Sequence, residues 1–326
     1  MNQRVFCRVL ISSAFLLAGS VSPIQAELKT YRVGILALVR PDRPQLRGLT
    51  EGLRTAGYIQ DENLLLDIAS SSAGNNELRV VAQAFCRSGK HVLVTTGNVE
   101  TQIAYEATKK IPIIFMPASD PLKAGFVKSL AHPATNLTGI AWDRGPETYG
   151  KELEVFKEVV RTLKRVTLVY DGRRENSLYP ANLVALRRAA TYLRITLSER
   201  PVETPAQQQK LISSISRKDT DGVFFVSSSL FNDFSTIGPL ARERKLPVYS
   251  AGNAEDGVLV SYAPSLYQLG QRASWYVARV LKGTRPEQLP VEVSSKFELV
   301  INLATAKELG LAIPPEILLK ASRLIK

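Results

Sequence analysis

Short, continuously apolar runs alternate with amphipathic segments along almost the whole chain. The first pair is RVGILAL at 32–38, followed by a helical pattern at 44–57. Unbroken apolar strands separated by helices are typical of a parallel sheet covered by helices on both faces. The series restarts at a second apolar run, RVTLVYD at 165–171, so we predict two Rossmann-like α/β lobes with parallel sheets. Because no low-complexity linker separates the two series, we expect hinge strands to join the lobes.

The remaining predicted elements follow the same alternation, and they set the predicted lobe boundaries. Further strands are predicted at 63–69, 91–97, 111–115, 137–142, 195–200, 222–227, 247–251, 258–264 and 297–302. Helices are predicted at 77–87, 100–109, 148–163, 177–193, 205–217, 233–245 and 266–282. We expect lobe 1 at 27–143, completed by about 264–290, and lobe 2 at 144–263, completed by about 291–326.

The N-terminal residues 1–26 have the pattern of an export signal. Arg4 and Arg8 provide a basic start, and an apolar core follows at 9–21. That core is too short to span a bilayer, which disfavours an uncleaved anchor. SPIQA at 22–26 then offers a cleavage site after Ala26. The pattern predicts a cleaved signal peptide and a periplasmic mature chain.

The net charge limits the classes of partner that we expect for this chain. The formal net charge of +12 would favour anionic partners. The basic residues are scattered, however, without a basic helix or interleaved aromatic residues, so we expect no nucleic-acid partner.

Cys7 precedes the apolar core of the signal, which leaves Cys86 alone in the mature chain. We expect Cys86 to act as a small buried apolar residue rather than as a reactive thiol.

The motifs of several enzyme classes are missing from the sequence. It contains no G-x-G-x-x-G after a strand, no G-x-x-x-x-G-K-[ST] and no G-x-S-x-G. The two histidines, His91 and His132, belong to neither an H-E-x-x-H motif nor a Cys/His group. We therefore expect no metal, no cofactor and no catalytic activity, although an α/β enzyme stays open as a less favoured alternative.

Polar residues cluster at the ends of predicted strands, just before the helices that follow them. Open α/β sheets bind ligands outside the carboxyl ends of their strands, and helix N-termini there accept carboxylates or phosphates. Two lobes facing each other with these edges would enclose a small polar molecule. Helix capping alone would also explain each cluster. The clusters are TTGNVE at 95–100, ASDP at 118–121, YDGRRENS at 170–177, SSSLFND at 227–233 and SAGNAED at 250–256.

Three longer stretches carry a resemblance to a known family. They are GLTEGLRTAGYIQDENLLLDIAS at 48–70, IPIIFMPASDPLKAGFVKSLAHPATNLTG at 111–139 and FELVINLATAKELGLAIPPEILLKASRLI at 297–325. These stretches resemble ABC transporter substrate-binding proteins of the type I periplasmic-binding fold, whose studied members bind aromatic amino acids. The resemblance runs from about residue 31 to residue 326.

The resemblance also implies a set of ligand-binding residues. Asp120 would begin a helix at the rim of the cleft, and Thr96, Gly97 and Asn98 would hold a ligand carboxylate. The second lobe would contribute Asn176 and Ser177, together with Asn232, whose order with Asp233 is reversed here. Tyr262 matches an aromatic residue near the last crossing between lobes. Candidates for an apolar wall are Tyr262, Phe231 and Trp142.

The sequence departs from the family pattern at several positions near this site. Asn98 stands where a hydroxyl residue is common, and Glu100 adds a negative charge beside the proposed anion site. Arg40 and Arg43 lie in the loop after the first strand. Either these arginines are solvated, which we favour, or they select a ligand with a second acidic group.

Together these features predict an exported receptor that captures a small polar solute, an amino acid or a related carboxylate, by hinge closure. The expected partners are this solute and the membrane permease of an ABC importer, with the receptor itself a monomer. A sensory receptor of the same fold is the alternative. The effector domain of a transcription regulator is disfavoured by the export signal and by the lack of an N-terminal helix-turn-helix pattern.

Overall fold

A computed structural model describes residues 29–37, 43–70, 75–142, 147–173, 179–231, 234–251, 254–294 and 296–326. The predicted signal peptide lies outside these residues. The first series of elements is β1 (Tyr31–Ala37), α1 (Pro44–Thr55), β2 (Leu64–Ser70), α2 (Asn75–Arg87), β3 (Val92–Thr95), α3 (Asn98–Ala107), β4 (Ile113–Ala118) and β5 (Leu137–Ala141).

The second series repeats this order and ends in a tail of short elements. It runs α4 (Glu147–Val159), β6 (Arg165–Asp171), α5 (Tyr179–Leu193), β7 (Thr196–Val202), α6 (Pro205–Ser214), β8 (Gly222–Phe225), α7 (Ile237–Glu243), β9 (Val248–Ser250) and β10 (Val260–Pro264). The tail consists of α8 (Leu266–Leu281), β11 (Glu292–Val293), β12 (Phe297–Asn302), α9 (Leu303–Glu308), α10 (Pro315–Lys320) and β13 (Arg323–Ile325).

The strands form two separate sheets. The first has the order β11-β5-β4-β3-β1-β2, and its described pairings are all parallel. The second has the order β13-β12-β10-β9-β8-β6-β7, in which only the described β10–β12 pairing is antiparallel. Two sheets of this kind, each within its own layer of helices, confirm the predicted α/β class with two Rossmann-like lobes.

Helices cover the first sheet on both faces. One apolar cluster joins the sheet to α1 and α8 through residues such as Leu49 and Val277. A second cluster on the other face joins it to α2 and α3 through Leu78 and Ile103. The strands are buried from both sides, which explains why their sequences are apolar without alternation.

The C-terminal part of the chain contributes to both sheets. The helix α8 packs against α1 beside the first sheet, and β11 pairs with β5 of that sheet. β12 and β13 extend the second sheet. We expected the chain from about residue 291 onward to complete lobe 2, but Glu292 and Val293 lie in the first sheet.

The segment after β4 corrects one prediction. Asp120 does not begin an α-helix: its φ is +39°, and a series of turns follows at 121–125. Its carboxylate accepts a hydrogen bond from the main-chain N–H of Lys123 at 3.1 Å, as a helix cap would. Gly125 has φ +75°, so the chain reverses after one turn and the N–H of Phe126 bonds to the carbonyl of Pro121. The side chain of Phe126 is buried, and this contact with the core holds the turn.

Candidate functional site

A cavity of about 60 Å³ lies between the two lobes. Side chains and main chain from both sheets enclose it, as expected for a ligand site at facing sheet edges. The first lobe contributes Gln45, Thr96, Gly97, Asn98, Val99, Pro117, Ser119 and Trp142. The remaining lining residues are Tyr149, Asn182, Ser227, Ser228, Ala251 and Leu266.

The strand ends explain why these residues converge. Thr96 follows β3, and Trp142 follows β5. On the other side, Ser227 follows β8 and Ala251 follows β9. Parallel strands present their carboxyl ends at one edge of each sheet, so residues 96–99 of the first predicted cluster face Ser227 and Ser228 of the other across the cavity.

On the first lobe, the hydroxyl of Thr96 is oriented by a buried acid. Thr96 Oγ1 donates to Glu100 Oε1 at 2.9 Å, and the Glu100 side chain is completely buried. A hydroxyl has one proton, so Thr96 presents only acceptor lone pairs to the cavity while this bond lasts. Its hydroxyl therefore has no proton for a ligand carboxylate, which alters the role implied by the family resemblance.

The side chain of Asn98 holds the neighbouring strand end in place. Asn98 Nδ2 donates to the carbonyl of Ser119 at 2.9 Å, and the N–H of Ser119 donates to Asn98 Oδ1 at 2.7 Å. This two-way bond ties the start of α3 to the end of β4. The main-chain N–H groups at the start of α3 have no intrahelical acceptors and are donors of the kind that bind anions.

On the second lobe, a buried ion pair orients another hydroxyl. Arg173 donates to Asp171 from Nε at 2.8 Å and from Nη2 at 2.6 Å. The Asp171 side chain is inaccessible to solvent. Ser228 Oγ also donates to Asp171 Oδ2, so Ser228, like Thr96, offers acceptor lone pairs at the cavity.

Two further lining residues carry polar atoms that bind nothing in the described part of the chain. Gln45 is 2% exposed and its Oε1 has no hydrogen-bond donor. Trp142 is 4% exposed and its Nε1–H has no acceptor. Buried polar atoms are normally paired, so two such atoms on the wall of one cavity are unusual.

A buried tyrosine of β9 bonds to β10 and lies close to α4, the helix that supplies Tyr149. The hydroxyl of Tyr249 donates to the carbonyl of Tyr262 at 3.0 Å in the core of the second lobe. Burial, and then the nearby carboxylate of Glu152 one turn further along α4, raises the pKa of Tyr249 well above its usual value of 10.0. Tyr249 therefore stays protonated and acts as a donor that fixes this part of the cleft.

The structure brings some of the predicted site residues together and separates others. Thr96, Gly97 and Asn98 line the cavity, as does the wall candidate Trp142. Asp120 and Tyr262 are absent from its lining, and Tyr262 packs on Phe297 with ring centroids 5.2 Å apart. Asn176, Ser177 and Asn232 lie outside the described residues.

Two other sequence-based interpretations are changed by the observed burial. Phe231 packs on Phe225 in the core of the second lobe instead of lining the cavity. Arg43 is 6% exposed at the N-terminal end of α1, so the favoured interpretation of it as a solvated residue is wrong. Arg40 lies outside the described residues.

Three polar lining side chains were not predicted from the sequence. Gln45 sits in the first turn of an amphipathic helix, where a polar residue predicts exposure. Tyr149 and Asn182 lie on α4 and α5 and belong to no strand-end cluster. The only feature of the sequence that these three residues share with a binding site is their position near the start of a helix that follows a strand.

The described residues contain no helix long and apolar enough to cross a membrane. They also contain no group of three or more His, Cys, Asp or Glu side chains arranged to hold a metal ion.

Comparison with known proteins identifies the family. The family model of ABC transporter substrate binding proteins matches residues 32–325. The tyrosine-binding protein of Clostridioides difficile (strain R20291) is 26% identical over 290 residues, which cover 87% of this chain and 82% of that protein.

Two solved structures are similar over most of the chain. The ABC domain from Streptococcus pneumonia in complex with L-Trp is 25% identical to this chain with a TM-score of 0.80, and the match covers 91% of this chain and all of that one. The ligand-free, open structure of a substrate-binding protein with adhesive properties from Clostridium difficile is also 25% identical at the same coverage, with a TM-score of 0.60. With a match over nearly the whole chain, this protein belongs to the ABC transporter substrate-binding protein family, whose members bind solutes and are not enzymes.

Proposed function

We propose that this protein is the exported receptor of an ABC importer and that it captures an amino acid or related carboxylate in the cleft between its lobes. The mature chain acts as a periplasmic monomer and passes the solute to a membrane permease. The observation that carries the proposal is the polar cavity enclosed by the strand ends of both lobes. The family match and the predicted signal peptide support the import role.

The lining favours a solute without net charge. Its side chains in the described part of the chain include amides, hydroxyls and aromatic groups but no ionised residue. Burying a net charge without a partner is unfavourable, whereas a zwitterion can satisfy both its charges with hydrogen bonds. Relatives described as binding tyrosine and as complexed with L-Trp support the choice of an amino acid.

The hydrogen-bond directions suggest how the two ends of an amino acid are held. Thr96 and Ser228 donate their protons to the buried carboxylates of Glu100 and Asp171. Their remaining lone pairs suit an ammonium group, which can only donate hydrogen bonds. The main-chain N–H groups at the start of α3 suit the carboxylate.

Hinge closure is supported by the different similarity of this chain to a solute-bound relative and to an open one. At equal identity and coverage, the TM-score to the L-Trp complex is 0.80, against 0.60 to the ligand-free open structure. The small cavity also fits a nearly closed cleft. We propose that the solute binds the closed form better than the open form and so shifts the population toward it.

The proposal is tested by thermal-shift and calorimetric titration of the mature protein, unfolded and refolded to remove any copurified solute. Each of the common L-amino acids is the probe, and the matching amine without a carboxylate is the control. We expect saturable stabilisation by one or a few amino acids and none by the amines. Loss of uptake of the bound amino acid after deletion of the gene would support the import role. If no amino acid stabilises the protein, an amino-acid solute is excluded.

A further inference from the structure

We propose that Gln45 and Trp142 bind the polar head of the solute directly, with Trp142 Nε1–H as donor and Gln45 Oε1 as acceptor. The proposal rests on the proposed function, because it requires a solute in the inter-lobe cavity. It adds two residues to the proposed binding site and one requirement on the chemistry of the solute. The solute must present an acceptor and a donor close together, as the carboxylate and ammonium of an amino acid do.

The first support is that both atoms are buried and have no partner within the described residues. The side chains are 2% and 4% exposed, and both line the same cavity of about 60 Å³. A buried polar atom without a partner is unfavourable, so a ligand or a bound water that pairs with it would remove this cost. An indole N–H can only donate, and an amide oxygen can only accept, so the two atoms require opposite groups.

The second support is that rigid elements hold both residues. The main-chain N–H of Trp142 donates to the carbonyl of Ala118 at 2.8 Å, which ties it to the end of β4. Gln45 lies at the start of α1, where its main-chain carbonyl lies directly against Gly270 of α8. A site whose residues are held in this way is preorganised and loses little freedom on binding.

The size of the cavity favours the head of an amino acid over its side chain. A cavity of about 150 Å³ accepts a benzene ring, so the space observed here is too small for an aromatic side chain. It has room for the few heavy atoms of an ammonium and a carboxylate, or for several water molecules in their place. If the two residues contact the head, their loss should weaken binding of every amino acid by a similar factor.

The test uses Gln45→Met and Trp142→Phe in the mature protein, titrated with the common L-amino acids. We expect the affinity for each amino acid that binds the unaltered protein to fall about tenfold or more, by a similar factor for each. The matched controls are Gln208→Met and Trp275→Phe. Gln208 is also 2% exposed with an unpaired Nε2, but it lies on α6 and does not line the cavity. Neither control should change affinity.

Stability of the solute-free protein gives a second, independent readout. If Gln45 Oε1 has no protein partner, Gln45→Met should not lower the melting temperature, as with Gln208→Met. A lower melting temperature for Gln45→Met alone would indicate a structural role and overturn the inference. Unchanged affinity in Gln45→Met and Trp142→Phe would also overturn it, with the proposed function intact. Failure of the unaltered protein to bind any amino acid would instead overturn the proposed function.

Discussion

Gly270 of α8 lies directly against the main-chain carbonyl of Gln45 in α1. A Cβ at position 270 would be 2.0 Å from that oxygen, and a Cβ at Gly48 would be 2.1 Å from the carbonyl oxygen of Tyr267. Glycine at these two positions thus permits the close approach of α1 and α8. The contact couples a helix near the end of the chain to a residue of the cavity wall.

We expect Gly270→Ala to lower the free energy of unfolding by about 1–3 kcal/mol, because the new methyl group forces the two helices apart. Solute affinity should fall as well, since Gln45 moves with α1. Urea unfolding measures the first effect and calorimetry the second. The control is Gly150→Ala in α4, where the nearest atom to a new Cβ is Ala189 Cβ at 3.3 Å. Equal stability of the two variants would contradict the prediction.

Removing one member of the buried ion pair beside the cavity should cost far more stability than removing one member of an exposed pair. Asp171 is inaccessible to solvent and Arg173 is 11% exposed, whereas Arg161 and Glu316 are 68% and 53% exposed. Asp171→Asn removes one member of the buried pair, so we expect a loss of about 3 kcal/mol. Glu316→Gln should change stability by less than about 1 kcal/mol. Urea unfolding of both variants measures the difference, and similar losses would refute this ranking.

Acid should weaken a contact between α8 and β11. Arg272 Nε donates to Glu292 Oε2 at 2.8 Å, and Nη2 donates to Oε1. This contact with Arg272 lowers the pKa of Glu292 below its usual value of 4.5. A carboxyl with a lowered folded-state pKa adds stability that is present above its unfolded pKa and is lost as the pH falls through its folded pKa.

We therefore expect Glu292→Gln to reduce the free energy of unfolding near neutral pH and to matter less in acid. Both side chains are more than a third exposed, so the reduction should be below about 1 kcal/mol. Unfolding curves at a series of pH values from about 7 to about 3 should show the difference from the unaltered protein shrinking below about pH 4.5. The control is Glu298→Gln on β12. A difference that grows in acid would contradict the assigned sign.

Trp142 should report solute binding by its fluorescence. The chain has two tryptophans, and Trp275 is 38% exposed on α8, so Trp275→Phe leaves Trp142 as the single emitter. A hydrogen bond from the indole to the solute changes its environment. Titration of this variant with a non-aromatic amino acid that binds should give a saturable change in emission. An emission change of the same size in Trp142→Phe would assign the signal to Trp275 instead.

The exported chain should begin at Glu27. Cleavage after Ala26 follows from the basic start, the short apolar core and the small residue at the cut. N-terminal sequencing of the protein from the periplasmic fraction should read Glu27-Leu28-Lys29. Intact mass gives the same information for a blocked terminus. An unprocessed chain in the membrane fraction would indicate an anchor.

Much of the fold could be predicted because burial on two faces leaves a strong sequence signal. The run at 165–171 became β6 with the predicted bounds, and the helix predicted at 266–282 became α8. The two-residue strand β11 has too little sequence to carry a pattern, and it joins the first sheet through pairing with distant β5. The turn after Asp120 was missed because Asp-Pro is also a common helix start, and only the positive φ at Asp120 and Gly125 separates the two.

The candidate site was predicted less completely than the fold. The polar clusters at the ends of predicted strands included Thr96 and Ser228, because this pattern can be read from a few neighbouring residues. It could not give the direction of their hydroxyl protons, which depends on Glu100 and Asp171 being buried beside them. Gln45 carried no signal, because a lone amide in a first turn has the sequence pattern of a surface residue.

The helix α8 packs on α1 beside the first sheet, β11 pairs within that sheet, and β12 and β13 extend the second sheet, so neither lobe is complete until most of the chain has been made. A nascent chain emerging from its N-terminus lacks the helix that covers α1 until residues 266–281 have been made. Neither lobe can bury its full core before then. Under the proposed export, we expect this late completion to favour an extended chain during translocation and folding after it.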